Sequence, residues 1–323
     1  MTDRSPRIGL VLGAGGVIGA AFHAGVLSAL HAEMGWDPRT ASIMVGTSAG
    51  SVAATSLRAG LSPSDLLARA EGRSLSAEGT RLMRNVGRIR RPPPLQPTKR
   101  GRGPAEIAGV LRRAATRPFA APPWALLSSL IPEGQVSTSM ISDAIAGLFP
   151  DEWPDEPLWL CAVRQNDGRR VAFGQHVPRP PLPDAVAASC AIPGYFSPVT
   201  IDGEAFVDGG IHSPTNADVL LGEDLDLVIV SSPMSMTGRR VQSSGSVIRR
   251  WSGVMLDAEA LRLRRRGVPV VAFQPTIDDV EVMGVPTMDP GRQGVVARQI
   301  HESTLRRLSR IDTRSRLSIL EHG

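Results

Sequence analysis

The stretch ASIMVGTSAGSVAATSLRA, residues 41–59, decides how the rest of the chain is interpreted. Residues 43–45 form a short apolar run typical of a buried strand, and an alanine-rich run suited to a helix follows. Between them lies Gly46-Thr47-Ser48-Ala49-Gly50, the G-x-S-x-G pattern of a nucleophile elbow in the strand–turn–helix context that it requires. The stretch therefore predicts Ser48 as a nucleophile whose hydroxyl is exposed at a sharp turn.

The residues around Ser48 suit this role for two physical reasons. Gly46 and Gly50 carry no side chain, so a strand and a helix can approach each other closely there. A helix that begins just after Ser48 would also direct its free N–H groups towards an oxyanion. The alternative is an ordinary turn before a helix, because five small residues match a short pattern easily. The strand and helix context favours catalysis.

Composition limits the class of protein. With 323 residues and 42% hydrophobic content, the chain can bury a sizeable core in one large domain. Cys161 and Cys190 are its two cysteines, which gives no disulfide framework and indicates a reducing, cytoplasmic setting. The net charge is +5, and Lys99 is the only lysine among the basic residues. The excess of arginine favours anionic partners, such as an anionic lipid surface.

Residues 8–30 contain no formally charged side chain, and a hydropathy window would propose a membrane span or a signal sequence. Six glycines interrupt this segment. It divides more naturally into the strand IGLVL, the loop GAGG and a buried helix. We therefore reject both membrane interpretations.

The glycine loop has three candidate uses. Gly13-Ala14-Gly15 begins the dinucleotide-binding pattern G-x-G-x-x-G, but Ile18 occupies the third glycine position. A Walker loop is excluded because the chain contains no Gly-Lys-Ser/Thr. The third use is an oxyanion hole, in which backbone N–H groups point at a negative oxygen that forms during reaction. With an elbow serine after the next strand, the third use is the most economical.

Residues 61–136 differ in composition, because arginine, proline and serine replace the apolar periodicity. We interpret them as a cap or mobile insertion within a single domain that spans residues 1–323. Basic residues 81–102 precede an apolar patch at 119–131, and this combination suits an anionic membrane interface. The alternative is a solvated loop with a few apolar anchors. Nucleic acid is not expected, since no aromatic residues alternate with the arginines.

The rest of the chain alternates strands with helices. Strands are predicted at 158–163, 170–173, 227–230 and 268–273, and helices at 137–148, 182–189, 246–266 and 291–322. This alternation predicts an α/β fold with a mostly parallel central sheet covered on both faces. In VTIDGEAFVDGG, residues 199–210, the pair Asp202-Gly203 turns a hairpin, and Asp208 lies at its far end before two glycines. The hairpin thus places a carboxylate at the end of a strand.

An elbow serine needs a base, and the usual base is histidine. Of the six histidines, His212 is the best candidate, because it closely follows Asp208-Gly209-Gly210 and could reach the same cleft. The alternative for His212 is a surface or supporting residue. The other five histidines receive no predicted role.

Three separated segments resemble the patatin-like phospholipase family: Gly13-Ala14-Gly15-Gly16, Gly46-Thr47-Ser48-Ala49-Gly50 and Asp208-Gly209-Gly210. Residues 188–194, Pro214 and Asn216 also resemble bacterial members. The resemblance implies a three-layer α/β/α fold and a lipid acyl hydrolase with a Ser–Asp dyad, without histidine, cofactor or metal. By that resemblance Ser48 is the nucleophile, Asp208 the base, and the glycine loop the oxyanion hole through the amides of Gly15 and Gly16.

The chain departs from the family pattern at one position of the glycine loop. The family usually has arginine or lysine where this chain has Ile18. The departure keeps open a non-catalytic binder of a lipid or other anionic ligand, and a soluble-substrate esterase or acyltransferase is a further alternative. A carboxylate with an ordinary pKa near 4 is a poor base for a hydroxyl, so the dyad requires a dehydrated site. The expected substrate is a phospholipid or other lipid ester, and peripheral contact with an anionic membrane is the expected partner interaction.

Overall fold

The computed structural model of the protein describes residues 4–86, 134–149, 153–176, 179–236, 245–284 and 287–322. Most of the basic tract and the whole apolar patch of the proposed insertion lie outside these residues. The interpretation of that segment as a cap or a membrane contact therefore stays a prediction.

The first part of the chain folds as two strand–helix units. Strand β1 (Ile8–Leu12) leads through the glycine loop to helix α1 (Gly16–Met34), and β2 (Ile43–Thr47) leads to α2 (Ala49–Arg58). The two strands are parallel, with Gly9 opposite Ile43. Both predicted strand–turn–helix units are thus present.

Two short helices follow, α3 (Pro63–Ala70) and α4 (Ala77–Leu82). Ser62 begins α3 by accepting a hydrogen bond from the backbone N–H of Asp65. Helix α3 packs on α1, and Leu61 is fully buried. Leu61 and helix α3 thus pack against the body of the domain, and the interpretation of residues 61–136 as an insertion stays a prediction.

The remaining elements follow in chain order. They are α5 (Ser139–Ala146), β3 (Leu158–Arg164), β4 (Arg170–Phe173), α6 (Leu182–Ser189), β5 (Val199–Ile201), β6 (Glu204–Asp208), β7 (Leu227–Ser231), α7 (Gly245–Arg265), β8 (Val270–Phe273), α8 (Ile277–Met283), α9 (Gln293–Leu308) and α10 (Ile311–Leu317). The closing helix predicted over 291–322 is thus wrong as one element. It divides between α9 and α10 because Arg310 adopts an extended backbone conformation, with φ −76° and ψ 133°.

The described strands form one sheet in the order β5-β6-β3-β2-β1-β7-β8, with β4 also paired to β3. Strands β3, β2, β1, β7 and β8 run parallel, and the pairings of β4, β5 and β6 are antiparallel. Leu10 and Leu12 of β1 enter the core beneath α1, whereas Val11 points to the opposite face beneath α7. Helices therefore cover both faces of a mostly parallel sheet, as predicted.

Helix α1 is the one described helix that is long and apolar enough to cross a membrane. Inside the structure, 72% of its apolar window is buried. It packs against α2, α3 and α9 over the centre of the sheet. This burial favours the interpretation of residues 8–30 as a core strand and a core helix.

Candidate active site

The turn between β2 and α2 holds Ser48 in a backbone conformation that is rare for a residue with a side chain. Its φ is 55° and its ψ is −121°, which is the strained geometry of a nucleophile elbow. A Cβ added to Gly50 would overlap the carbonyl of Leu12, and one added to Gly46 would lie 2.5 Å from the Cα of Ser51. Both glycines are thus required by the close approach of strand and helix.

Hydrogen bonds between the backbone of Ser48 and neighbouring side chains hold Ser48 in this conformation. Its N–H donates to Ser189 Oγ (3.0 Å), and the Ser189 hydroxyl donates in turn to the carbonyl of Cys161 in β3 (2.7 Å). The Ser48 carbonyl accepts from Ser51 Oγ (2.6 Å) and from Cys190 Sγ (3.3 Å). Ser48 is only 4% exposed, so the hydroxyl expected to be exposed lies in a largely dehydrated site.

Asp208 lies at the end of β6, where the Ser48 side chain is close enough to help lower the pKa of its carboxyl. Its Oδ1 accepts a hydrogen bond from the backbone N–H of Gly210 at 2.7 Å. Asp208 is 5% exposed, and burial raises its pKa to about 6, although the Ser48 side chain and the Gly210 N–H oppose this shift. A carboxylate with this pKa is a stronger base than an ordinary aspartate and is still mostly ionised at neutral pH.

The loop after Asp208 is joined to the elbow by Asn216. Its side-chain amide donates to Thr47 Oγ1 (3.1 Å), to the carbonyl of Gly209 (3.3 Å) and to the carbonyl of Ser213 (2.6 Å). A Cβ at Gly209 would overlap the carbonyl of Cys161, so this position also requires glycine. One buried side chain thus fixes the segments that carry both predicted dyad residues.

Two of the four predicted oxyanion donors of the glycine loop already donate to other acceptors. The amide of Gly13 donates to the carbonyl of Ser231 (3.0 Å), and that of Ala14 donates to the carbonyl of Pro214 (2.7 Å). In the described part of the chain, the amides of Gly15 and Gly16 have no acceptor. Gly13 and Ala14 therefore hold the loop in place, and Gly15 and Gly16 are the members with donors available to a ligand.

The sequence model of the patatin-like phospholipase family matches residues 10–221. The chain belongs to the patatin-like phospholipase family. The matched range contains the elbow, the glycine loop and Asp208, and membership supports a lipid hydrolase. No sequence among the curated proteins matches the chain.

The chain is also similar to several solved structures at low sequence identity. VipD from Legionella pneumophila is 15% identical, with 94% of this chain and 66% of VipD covered and a TM-score of 0.40. Human GIVD cytosolic phospholipase A2 is 12% identical, with 100% and 64% covered and a TM-score of 0.40. ExoU of Pseudomonas aeruginosa, solved with SpcU, is 20% identical, with 98% and 52% covered and a TM-score of 0.36. This patatin-like chain thus spans less than two thirds of the length of each of these solved chains.

Ile18, which replaces the basic residue usual in patatin-like proteins, is 1% exposed and belongs to the core cluster beneath α1. Its backbone N–H donates to the carbonyl of Thr287 (3.0 Å). An apolar side chain suits this buried position, because a buried charge would need a partner. In this patatin-like chain, Ile18 therefore contributes to the packing of the core.

His23 is a fully buried residue of α1 behind the glycine loop, and sequence reasoning assigned it no role. Its Nε2 lies 2.8 Å from the carbonyl oxygen of Gly13, and its Nδ1 lies 2.8 Å from Ser231 Oγ. Burial lowers the pKa of His23 to about 4, so the ring is neutral. A carbonyl can only accept, so Nε2 carries the proton, and Nδ1 accepts from the Ser231 hydroxyl. His23 therefore holds the glycine loop against β7.

His212, the histidine that sequence reasoning favoured as a base, belongs to a different group of charges. Burial lowers the pKa of His212 to about 4; the charges of Arg170 and Arg262 also lower it, whereas the charge of Asp218 raises it. Asp208 is the group that the structure brings to Ser48. The alternative interpretation of His212 as a supporting residue therefore fits the structure better.

Proposed function

We propose that the chain is a serine lipid acyl hydrolase of the phospholipase A or lysophospholipase type. The observation that carries the proposal is the strained elbow at Ser48 beside the buried Asp208 carboxylate, whose pKa the Ser48 side chain helps to lower, in a patatin-like protein. A serine with an adjacent base is the recurring arrangement for acyl transfer.

In the proposed reaction, Asp208 removes the proton of Ser48 as its oxygen attacks the ester carbonyl carbon of the lipid. The tetrahedral intermediate then collapses, the ester C–O bond breaks, and Asp208 returns the proton to the leaving alcohol. A water molecule attacks the acyl-enzyme, with Asp208 again taking a proton. The second collapse releases the fatty acid and restores the Ser48 hydroxyl.

The negative oxygen of the intermediate requires donors that are already in position. The amides of Gly15 and Gly16 are available for this role, and so is the amide of Ala49 at the start of α2. Removing one such donor from an acyl-transfer enzyme lowers the rate by roughly 10²–10³-fold. These backbone donors supply positive potential although Ile18 supplies none.

The buried dyad favours a substrate whose ester group can move from water into a dehydrated site. Ser48 and Asp208 are both less than 6% exposed, so an apolar acyl chain would complete the exclusion of water from the reacting atoms. We propose a phospholipid or lysophospholipid reached by peripheral contact with an anionic membrane, in a cytoplasmic setting. The arginine-rich composition is the feature that supports the membrane contact.

The proposal is tested by measuring fatty-acid release from phospholipid vesicles and from a short-chain ester. Ser48→Ala should abolish release from vesicles, whereas Ser56→Ala, on the same helix, removes a hydroxyl that donates only to the carbonyl of Val52 (2.8 Å) and should retain it. Asp208→Asn should also abolish release, and Asp202→Asn at the turn of the same hairpin should not. Release from the short ester alone would favour a soluble-substrate esterase. No release above background by either wild type or Ser48→Ala would leave a non-catalytic lipid binder as the better account, and equal release above background would exclude Ser48 as the nucleophile.

A further inference from the structure

Helix α7 exposes an unusual amount of apolar surface. Of the eight large hydrophobic side chains exposed in the described part of the chain, four lie on this helix. They are Val247, Ile248, Val254 and Leu261, with exposed fractions of 68%, 53%, 66% and 48%. A monomeric protein rarely gathers exposed apolar side chains on one element without a partner for them.

The exposed residues follow the seven-residue period of a coiled-coil seam. Val247, Val254 and Leu261 are seven residues apart, and the half-buried Trp251 and Ala258 complete an alternation of four and three residues. The opposite face of the helix buries Leu256, Ala260 and Leu263 against the sheet. Within the described part of the chain, the sheet therefore covers one apolar face of α7, whereas Val247, Val254 and Leu261 of the outward seam are exposed.

Two opposite charges flank this outward seam on one side of the helix. Arg250 and Asp257 are seven residues apart and both exposed, and neither forms an ion pair with another described residue. When two antiparallel copies pack Trp251 against the partner's Val254, the positions of Arg250 and Asp257, which flank the seam on the same side, lie next to each other across the interface. Arg250 of each copy then lies beside the partner's Asp257.

From the heptad spacing and these charges we infer that the outward face of α7 is a docking surface for a second copy of this chain. The two helices run antiparallel about a two-fold axis, because only this arrangement places the Arg250 of each copy beside the partner's Asp257. Two identical ion pairs then form, one on each side of the axis. The helix is already formed and anchored to the sheet, so association costs little ordering of the backbone.

A second copy fits the surface better than a membrane does. A helix that lies on a membrane has a broad apolar face with basic flanks. The seam on α7 is narrow and carries the carboxylate of Asp257 at its edge. The seam from Val247 to Leu261 spans about 21 Å at 1.5 Å per residue, so a seam this short and narrow should bury less than the roughly 800 Å² per partner of a standard interface. We therefore expect a weak dimer that forms with increasing protein concentration.

Sedimentation velocity over a series of protein concentrations tests this inference without reference to activity. The wild-type weight-average mass should rise towards that of a dimer, and Val254→Glu should stay monomeric. Val295→Glu is the matched control, because Val295 is 61% exposed on α9 and lies off the seam. Circular dichroism of each variant establishes that it is folded.

Charge exchange tests the antiparallel register. Arg250→Asp and Asp257→Arg should each weaken association about tenfold or more, because each sets like charges together across the axis. The double variant should recover association, since opposite charges then face each other again. Wild type that stays monomeric at all concentrations, Val254→Glu that still dimerises, or a double variant no better than the single ones would overturn the inference. Binding of monomers to anionic vesicles through this face, lost in Val254→Glu, would also overturn it in favour of a membrane.

Discussion

Asn216 Nδ2 lies 3.1 Å from Thr47 Oγ1, and this hydrogen bond joins the residue before the predicted nucleophile to the loop that follows the predicted base. The two residues are 169 positions apart in sequence. Asn216 adopts a left-handed conformation with φ 53°, which asparagine tolerates better than most residues. Its amide therefore holds both halves of the predicted site in one geometry.

Replacement of Asn216 should loosen that geometry. We expect Asn216→Gly, which keeps the left-handed backbone available, to lower the free energy of unfolding by about 1–3 kcal/mol through lost buried hydrogen bonds. We also expect kcat to fall at least about tenfold, since small misplacements of reacting groups are costly. Chemical denaturation and ester hydrolysis measure the two effects. Asn216→Ala should lose about 1 kcal/mol more, because alanine is strained at φ 53°, and wild-type kcat in the glycine variant would refute the positioning role.

His23 offers a test of how the glycine loop is held. His23→Leu removes the N–H that donates to the carbonyl of Gly13, and we expect it to lower kcat/KM, whereas His23→Gln retains a donor and should recover part of the activity. Comparison of kcat/KM for the two variants measures the effect. Equal losses in both would point to simple packing of the ring.

His23 also predicts how stability depends on pH. Its pKa is about 4 in the folded protein and 6.5 for an unperturbed ring, so the unfolded chain binds more protons between these values. The stabilisation is present above pH 6.5 and is lost as the pH falls towards 4, by up to about 3 kcal/mol. Asp208 acts in the opposite sense, because its raised pKa favours folding at low pH. Unfolding curves of wild type and His23→Leu should therefore converge as the pH falls from 7 to 4, and a constant difference would contradict the assignment.

The pH dependence of hydrolysis should report the predicted base. Asp208 must be ionised to accept the Ser48 proton, and its pKa is about 6. We expect kcat/KM to rise with pH, to be half-maximal near pH 6 and to level off above pH 7. A profile that is flat between pH 4.5 and 7.5 would exclude Asp208 as the titrating base.

The elbow glycines can be tested against a glycine in an open position. Gly50→Ala would drive a methyl group into the carbonyl of Leu12, and we expect a loss of about 3 kcal/mol in the free energy of unfolding. Gly253→Ala in α7 meets no atom within 4 Å and should be neutral or stabilising. Thermal unfolding compares the two variants, and equal melting temperatures would contradict the close approach of β1 and α2.

Local patterns in the sequence predicted the strand–turn–helix units around Gly13 and Ser48, the hairpin that ends at Asp208 and the parallel α/β sheet. These features depend on neighbouring residues, such as apolar runs, glycines at turns and Asp202-Gly203. Helix α8 also has a local signal in the sequence, because Thr276 and Asp279 form a capping box at its start.

The supporting contacts of the site could not be predicted in the same way. Ser189 contacts Ser48 across 141 positions, and the acceptors of His23 are a backbone carbonyl and a distant hydroxyl. Such contacts depend on how strands are ordered in the sheet, which leaves no fixed spacing in the sequence. The same holds for the glycine loop. The amides of Gly13 and Ala14 donate to the carbonyls of the distant residues Ser231 and Pro214, and this pairing leaves the amides of Gly15 and Gly16 available.

The most direct test of the account is covalent labelling by a fluorophosphonate, located by peptide mass spectrometry in wild type, Ser48→Ala and Asp208→Asn. We expect one adduct on Ser48 in wild type, none in Ser48→Ala, and labelling slowed by roughly 10²-fold or more in Asp208→Asn, because the base is lost. An adduct on another residue, or labelling of Asp208→Asn at the wild-type rate, would contradict the Ser48–Asp208 mechanism.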